Sequence, residues 1–114
     1  MQPTLYEKQI ESIRGKARAW ARVRGADLVD AEAMRFVLGF VLVTVDSEGM
    51  AIDACGWTAR VEGRPRRDAS AMVPGVVACS LDDGRMYLSV GGDDVNGAKA
   101  WARLLPAMVP EVAA

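Results

Sequence analysis

VGGDDVNGAKAW, residues 90–101, joins a run of alternating apolar residues to a stripe of apolar residues, and its reading sets the last third of the fold. Two glycines release the chain from a strand ending at Val90. Asp93 or Asp94 then stands where a carboxylate can meet the unpaired amides that open a helix. Val95, Ala98, Trp101, Ala102 and Leu105 recur at three- and four-residue spacing, and Pro106 supplies a stop. The spacing predicts a helix from Asp93 or Asp94 to about Leu105, with the acidic pair as its cap.

The same glycines invite ligand readings that the neighbouring residues remove. Gly92, four residues and Gly97 have the glycine spacing of a phosphate-binding loop. Ala98 and Lys99 follow, however, where Lys and then Ser or Thr are required, and two aspartates would face the phosphates. As a calcium loop the stretch would put Gly92 and Arg103 at the first and twelfth places, both of which need oxygen ligands.

Upstream of this stretch lie two hairpin patterns. In VVACSLDDGRMYLSV, residues 76–90, Asp83-Gly84 is a favoured two-residue turn. It sets Asp82 opposite Arg85 and aligns Leu81, Cys79 and Val77 with Met86, Leu88 and Val90, respectively. Between FVLVTV at 40–45 and MAIDACGW at 50–57, a turn at Ser47 and Glu48 pairs Val45 with Met50, Val43 with Ile52 and Val41 with Ala54. Those faces are apolar. The opposite faces are mixed, carrying Phe40, Leu42, Thr44, Ala51, Asp53, Cys55 and Trp57 in one hairpin and Val76, Ala78, Ser80, Tyr87 and Ser89 in the other.

At the N-terminus, Thr4 and Glu7 have the spacing of a capping box. Tyr6, Ile10, Ile13, Ala17, Trp20 and Ala21 form one helical stripe, and Gly25 stops it. Asp27 or Asp30 can cap a short second helix before the apolar run that begins at Phe36. The expected fold is α+β and a single domain over 1–114. It has an N-terminal helix, with or without the short second one, two antiparallel β-hairpins in one sheet and a C-terminal helix, the helices packed on one sheet face.

Composition narrows the function. With 51% hydrophobic and 25% charged residues the chain matches ordinary folded domains, and its net charge of -1 exerts no general pull on nucleic acid or anionic membrane. The absence of histidine removes the usual general base and the commonest zinc ligand. No catalytic, cofactor or metal residues are therefore assigned. Cys55 and Cys79 fall on opposite sheet faces, so no disulfide is expected, and free thiols suit a cytoplasmic protein. The longest apolar run, FVLGFVLVTV at 36–45, is about half the length of a membrane span, and no cleavable signal pattern is seen.

Two binding surfaces remain. The mixed sheet face, with Phe40, Leu42, Asp53, Trp57 and Tyr87, has the composition of an interface core. It points to a non-enzymatic protein-binding module, an adaptor, chaperone or inhibitor of bacterial or phage type that occludes a partner surface or forms a homodimer. The alternative surface is the basic connection Arg60, Arg64, Arg66 and Arg67, which suits phosphate and a nucleic-acid partner, although no aromatic residue interleaves it. In element order, SLDDGRMYLSV followed by an amphipathic helix is similar to the closing hairpin and helix of the small type III secretion chaperones, a resemblance that implies a chaperone-like dimer.

Overall fold

Period-two alternation governs the chain beyond residue 38. In the computed structural model, which describes residues 4–5, 7–23, 39–81 and 84–106, all the regular structure of that stretch apart from one 3₁₀ turn is strand. The elements are β1 (Thr4–Leu5), α1 (Glu7–Val23), β2 (Gly39–Val45), β3 (Ala51–Val61), β4 (Arg64–Pro65), a 3₁₀ turn (Ala69–Ala71), β5 (Val76–Ser80), β6 (Met86–Val90) and β7 (Ala100–Pro106). They form one sheet in the order β1-β7-β6-β5-β2-β3-β4. β1 runs parallel to β7, and every other neighbour is antiparallel.

The α1 stripe behaves as its spacing requires. Ile13, Ala17 and Ala21 are buried against Val41, Val43, Val77, Cys79, Met86 and Leu104, with Ile10 and Trp20 at the margin. The two alanines let the helix lie close on the sheet. Gln9 Nε2 donates to the Glu48 carbonyl (2.6 Å) and the Ala51 amide to Ser12 Oγ (3.0 Å), fastening α1 to the β2–β3 turn. Thr4 is not the N-cap: it lies in β1, paired with Leu105, and the helix starts at Glu7.

The expected C-terminal helix is replaced by β7. Without β7, β6 would leave a row of unpaired amides and carbonyls beside an apolar sheet, and pairing through Met86↔Leu104 to Val90↔Ala100 satisfies them. Asp93 caps no helix. Its Oδ1 accepts from the amides of Val95 (2.9 Å) and Asn96 (2.6 Å), and the loop closes on itself through paired Asp93 and Gly97 backbone bonds. With that helix gone, the resemblance to secretion chaperones loses the element that carried it. The fold is thus one helix on a strongly curled, nearly closed barrel-like sheet, rather than two hairpins with helices at both ends.

Both hairpins depart from the expected register. In β5–β6 the pairs are Val77↔Leu88 and Cys79↔Met86, and the Ser80 amide donates to the Arg85 carbonyl, so four residues form the connection instead of two. The slip is even, and the expected faces survive. In β2–β3 irregularities fall between Leu42 and Val43 and between Thr44 and Val45, giving Val45↔Ala51, Val43↔Ala54 and Val41↔Trp57. Trp57 consequently crosses to the helix side, and Ile52 is turned out at 49% exposure. The short helix expected within 27–38, the Gly25 stop, and Asp82 with Asp83 lie outside the described residues. Among the described residues, no helix is long and apolar enough to cross a membrane.

The sheet face away from α1 encloses a second core of Phe40, Leu42, Val76, Ala78 and Tyr87, with Met72 and Trp101 packed against it. Curling brings the two ends of the sheet toward each other, and short bonds join them. Trp101 Nε1 donates to the Arg67 carbonyl (2.8 Å), the Ala98 amide to the Met72 carbonyl (2.8 Å) and the Tyr87 hydroxyl to the Gly63 carbonyl (3.2 Å). Gly97 makes the approach possible: at φ +85 it rests on the Ser70 backbone, where a Cβ would overlap the carbonyl oxygen.

Candidate anion-binding cleft

The seam where the barrel almost closes holds a cleft of about 520 Å³, lined by Val61, Arg64, Pro65, Arg66, Arg67, Asp68, Ala69, Lys99, Ala100 and Trp101. One wall comes from the β3–β4 hairpin and the residues after it. The other is the start of β7. Four cationic residues and one acidic residue line it, a local concentration that the overall charge of -1 conceals.

Backbone bonds hold the arginine wall in place. The Arg66 amide donates to the Ala59 carbonyl (2.9 Å) and the Arg67 amide to Thr58 Oγ1 (3.0 Å), extending the hairpin beyond β4. The Arg67 guanidinium donates to the Trp57 carbonyl (3.3 Å), which fixes its direction. The Arg64 guanidinium lies over the Tyr87 ring, 5.9 Å from its centroid, and reaches the Trp101 carbonyl at 3.4 Å. Arg64, Arg66 and Arg67 are all exposed.

Of the residues expected from sequence, Arg64, Arg66 and Arg67 are brought together in the cleft. Arg60 turns inward, where its guanidinium donates to Ser80 Oγ and lies over the Phe40 ring, 5.5 Å from its centroid. The mixed sheet face is dispersed. Phe40 and Leu42 are 0% exposed and Tyr87 6%, all inside the second core, while Trp57 packs on the helix side and Asp53 alone is exposed.

Lys99 and Trp101 are the residues that sequence reading missed. Lys99, Trp101 and Arg103 sit at i, i+2 and i+4, a spacing that places a cation, an aromatic ring and a cation on one face of a strand. That signal is visible only once the segment is read with period two. In the structure Trp101 pairs with Ser89 and Arg103 with Tyr87, so both point to the concave side. The aromatic partner absent from the arginine stretch is thus supplied from another strand.

Elsewhere the chemistry is sparse. Among the described residues, no group of three Cys, Asp or Glu side chains is placed to hold a metal ion. Neither cysteine is in a disulfide, Cys79 being buried and Cys55 exposed, and partial burial pushes the Cys55 pKa up, with Arg67 partly opposing the rise. No protein-family model, curated protein or solved structure matches the chain.

Proposed function

We propose that this protein is a non-enzymatic binding module that holds the phosphate backbone of a nucleic acid in the cleft between the arginine wall and β7. The observation that carries the reading is the convergence of Arg64, Arg66, Arg67 and Lys99, from segments distant in sequence, beside the ring of Trp101. Guanidinium forks match phosphate oxygens, and hydrogen bonds on the 66–67 backbone reduce the ordering cost of binding. Two cysteines outside any disulfide suit a reducing compartment such as the cytoplasm, where nucleic acid is at hand.

Three or four phosphate contacts on a single strand make the logarithm of affinity fall with the logarithm of salt at a slope of about -2 to -3, with affinity near the micromolar range. Fluorescence anisotropy with a labelled oligonucleotide across a salt series measures this. Arg66→Ala is expected to reduce the slope by about 0.7 without shifting the melting temperature. A complete lack of binding at low salt rejects the reading.

A second reading, a protein partner or second copy, is supported by β3. Among the described residues β3 pairs with β4 only at Arg60 and Val61, so its outer edge over Ala51 to Thr58 has no strand neighbour. Bulges and the exposed Asp53 disfavour indiscriminate pairing along this edge. Light scattering on the same samples separates the two readings, because edge pairing between copies doubles the mass and is insensitive to Arg66→Ala.

A further inference from the structure

Resting on the nucleic-acid reading above, we infer that the cleft takes single-stranded nucleic acid with little regard to base sequence, one unstacked base lying against the Trp101 ring. Trp101 is half-buried, packed against the second core and tied through Nε1 to the Arg67 carbonyl at 2.8 Å. The ring is therefore held in one orientation before any ligand arrives. A base that stacks on it does not have to order it.

The indole donor is already engaged, so Trp101 offers a base only its π face. A π face accepts every base, which makes the contact tolerant of sequence. Lys99, just before β7 and in the cleft lining, and the exposed Arg103, on the same face of β7 beyond the lining, stand two residues on either side of Trp101, roughly 7 Å away along the chain, and would meet the backbone before and after a stacked base. Arg64, Arg66 and Arg67 form the facing wall. In a duplex the bases are stacked on each other and paired, so only phosphates would meet the cleft and the ring would add nothing.

The test compares four labelled ligands of about 12 nucleotides at low salt: a mixed-sequence single strand, a homopolymer, a single strand of the same length and charge lacking bases, and a duplex. The intact strand is expected to bind about five- to a hundredfold tighter than the abasic one, with duplex near the abasic value and homopolymers within about tenfold of one another. Trp101→Leu should remove the difference between intact and abasic strands, and Trp101→Phe should keep most of it. Equal affinity for intact and abasic strands, or duplex binding as tight as single strand, overturns the inference while leaving the phosphate reading intact. Binding of none of the four defeats both. The abasic comparison uses the unaltered chain, so its outcome does not depend on whether a Trp101 variant folds.

Discussion

The carboxylate of Asp93 closes the loop that leads into β7, accepting from two backbone amides at Oδ1 and from the Asn96 side chain at Oδ2 (3.2 Å). Those bonds, the Asn96 amide first, then its side chain and the Val95 amide, favour the ionised form and hold the Asp93 pKa below the ordinary aspartate value. A pKa lowered on folding stabilises the protein above the unfolded value, and the contribution is lost as pH falls through the folded value. Asp93→Ala should therefore lower the urea midpoint at neutral pH, and its gap from the parent should close as pH drops below about 3.9. A gap independent of pH would assign the role to backbone geometry alone. The glycines were legible as a turn off the strand, whereas Asp93 was expected to cap a helix that does not form. What the residues could not reveal is that the carboxylate bonds within the loop, because Asp followed by helix-compatible residues satisfies a cap and a side-chain turn equally well.

Among the elements, α1 and the faces of β5–β6 were legible, because a helical stripe is redundant over several turns and a two-residue slip returns every side chain to its own face. The β2–β3 pair was not. Each of its irregularities inserts one residue, and nothing local in DACGW marks where a strand will bulge. The cysteines test this arrangement directly. In the native protein one thiol, Cys55, should react with a disulfide reagent, and Cys79 should react only after unfolding. Since burial pushes the Cys55 pKa up, its reaction at neutral pH should be slower than that of a free thiol and should accelerate with rising pH. Two thiols that react in the native protein, or none that reacts before unfolding, would contradict the placement of β3.

At the scale of the whole molecule, closure of the barrel both buries the second core and builds the cleft. Gly97 is the position where that closure is most exposed to a single change. An alanine there would take a backbone conformation costing about 1–3 kcal/mol and would also push its Cβ into the Ser70 carbonyl. Gly97→Ala should lower the melting temperature by at least about 4 °C and weaken oligonucleotide binding along with it. A variant with unchanged stability would mean that the seam does not help hold the sheet. The amphipathic helix, the strands of the central sheet, the two cysteines outside any disulfide and the cluster of three arginines were determined by the sequence itself, because local periodicity, spacing and composition suffice for each. Tertiary structure alone decided that residues 100–106 are a strand. Alanine, leucine and arginine suit a helix there, and the demand of β6 for a hydrogen-bonding partner outweighs that preference. The same pairing carries Trp101 and Lys99 to the arginine wall, and so creates a site that no contiguous stretch of the chain contains.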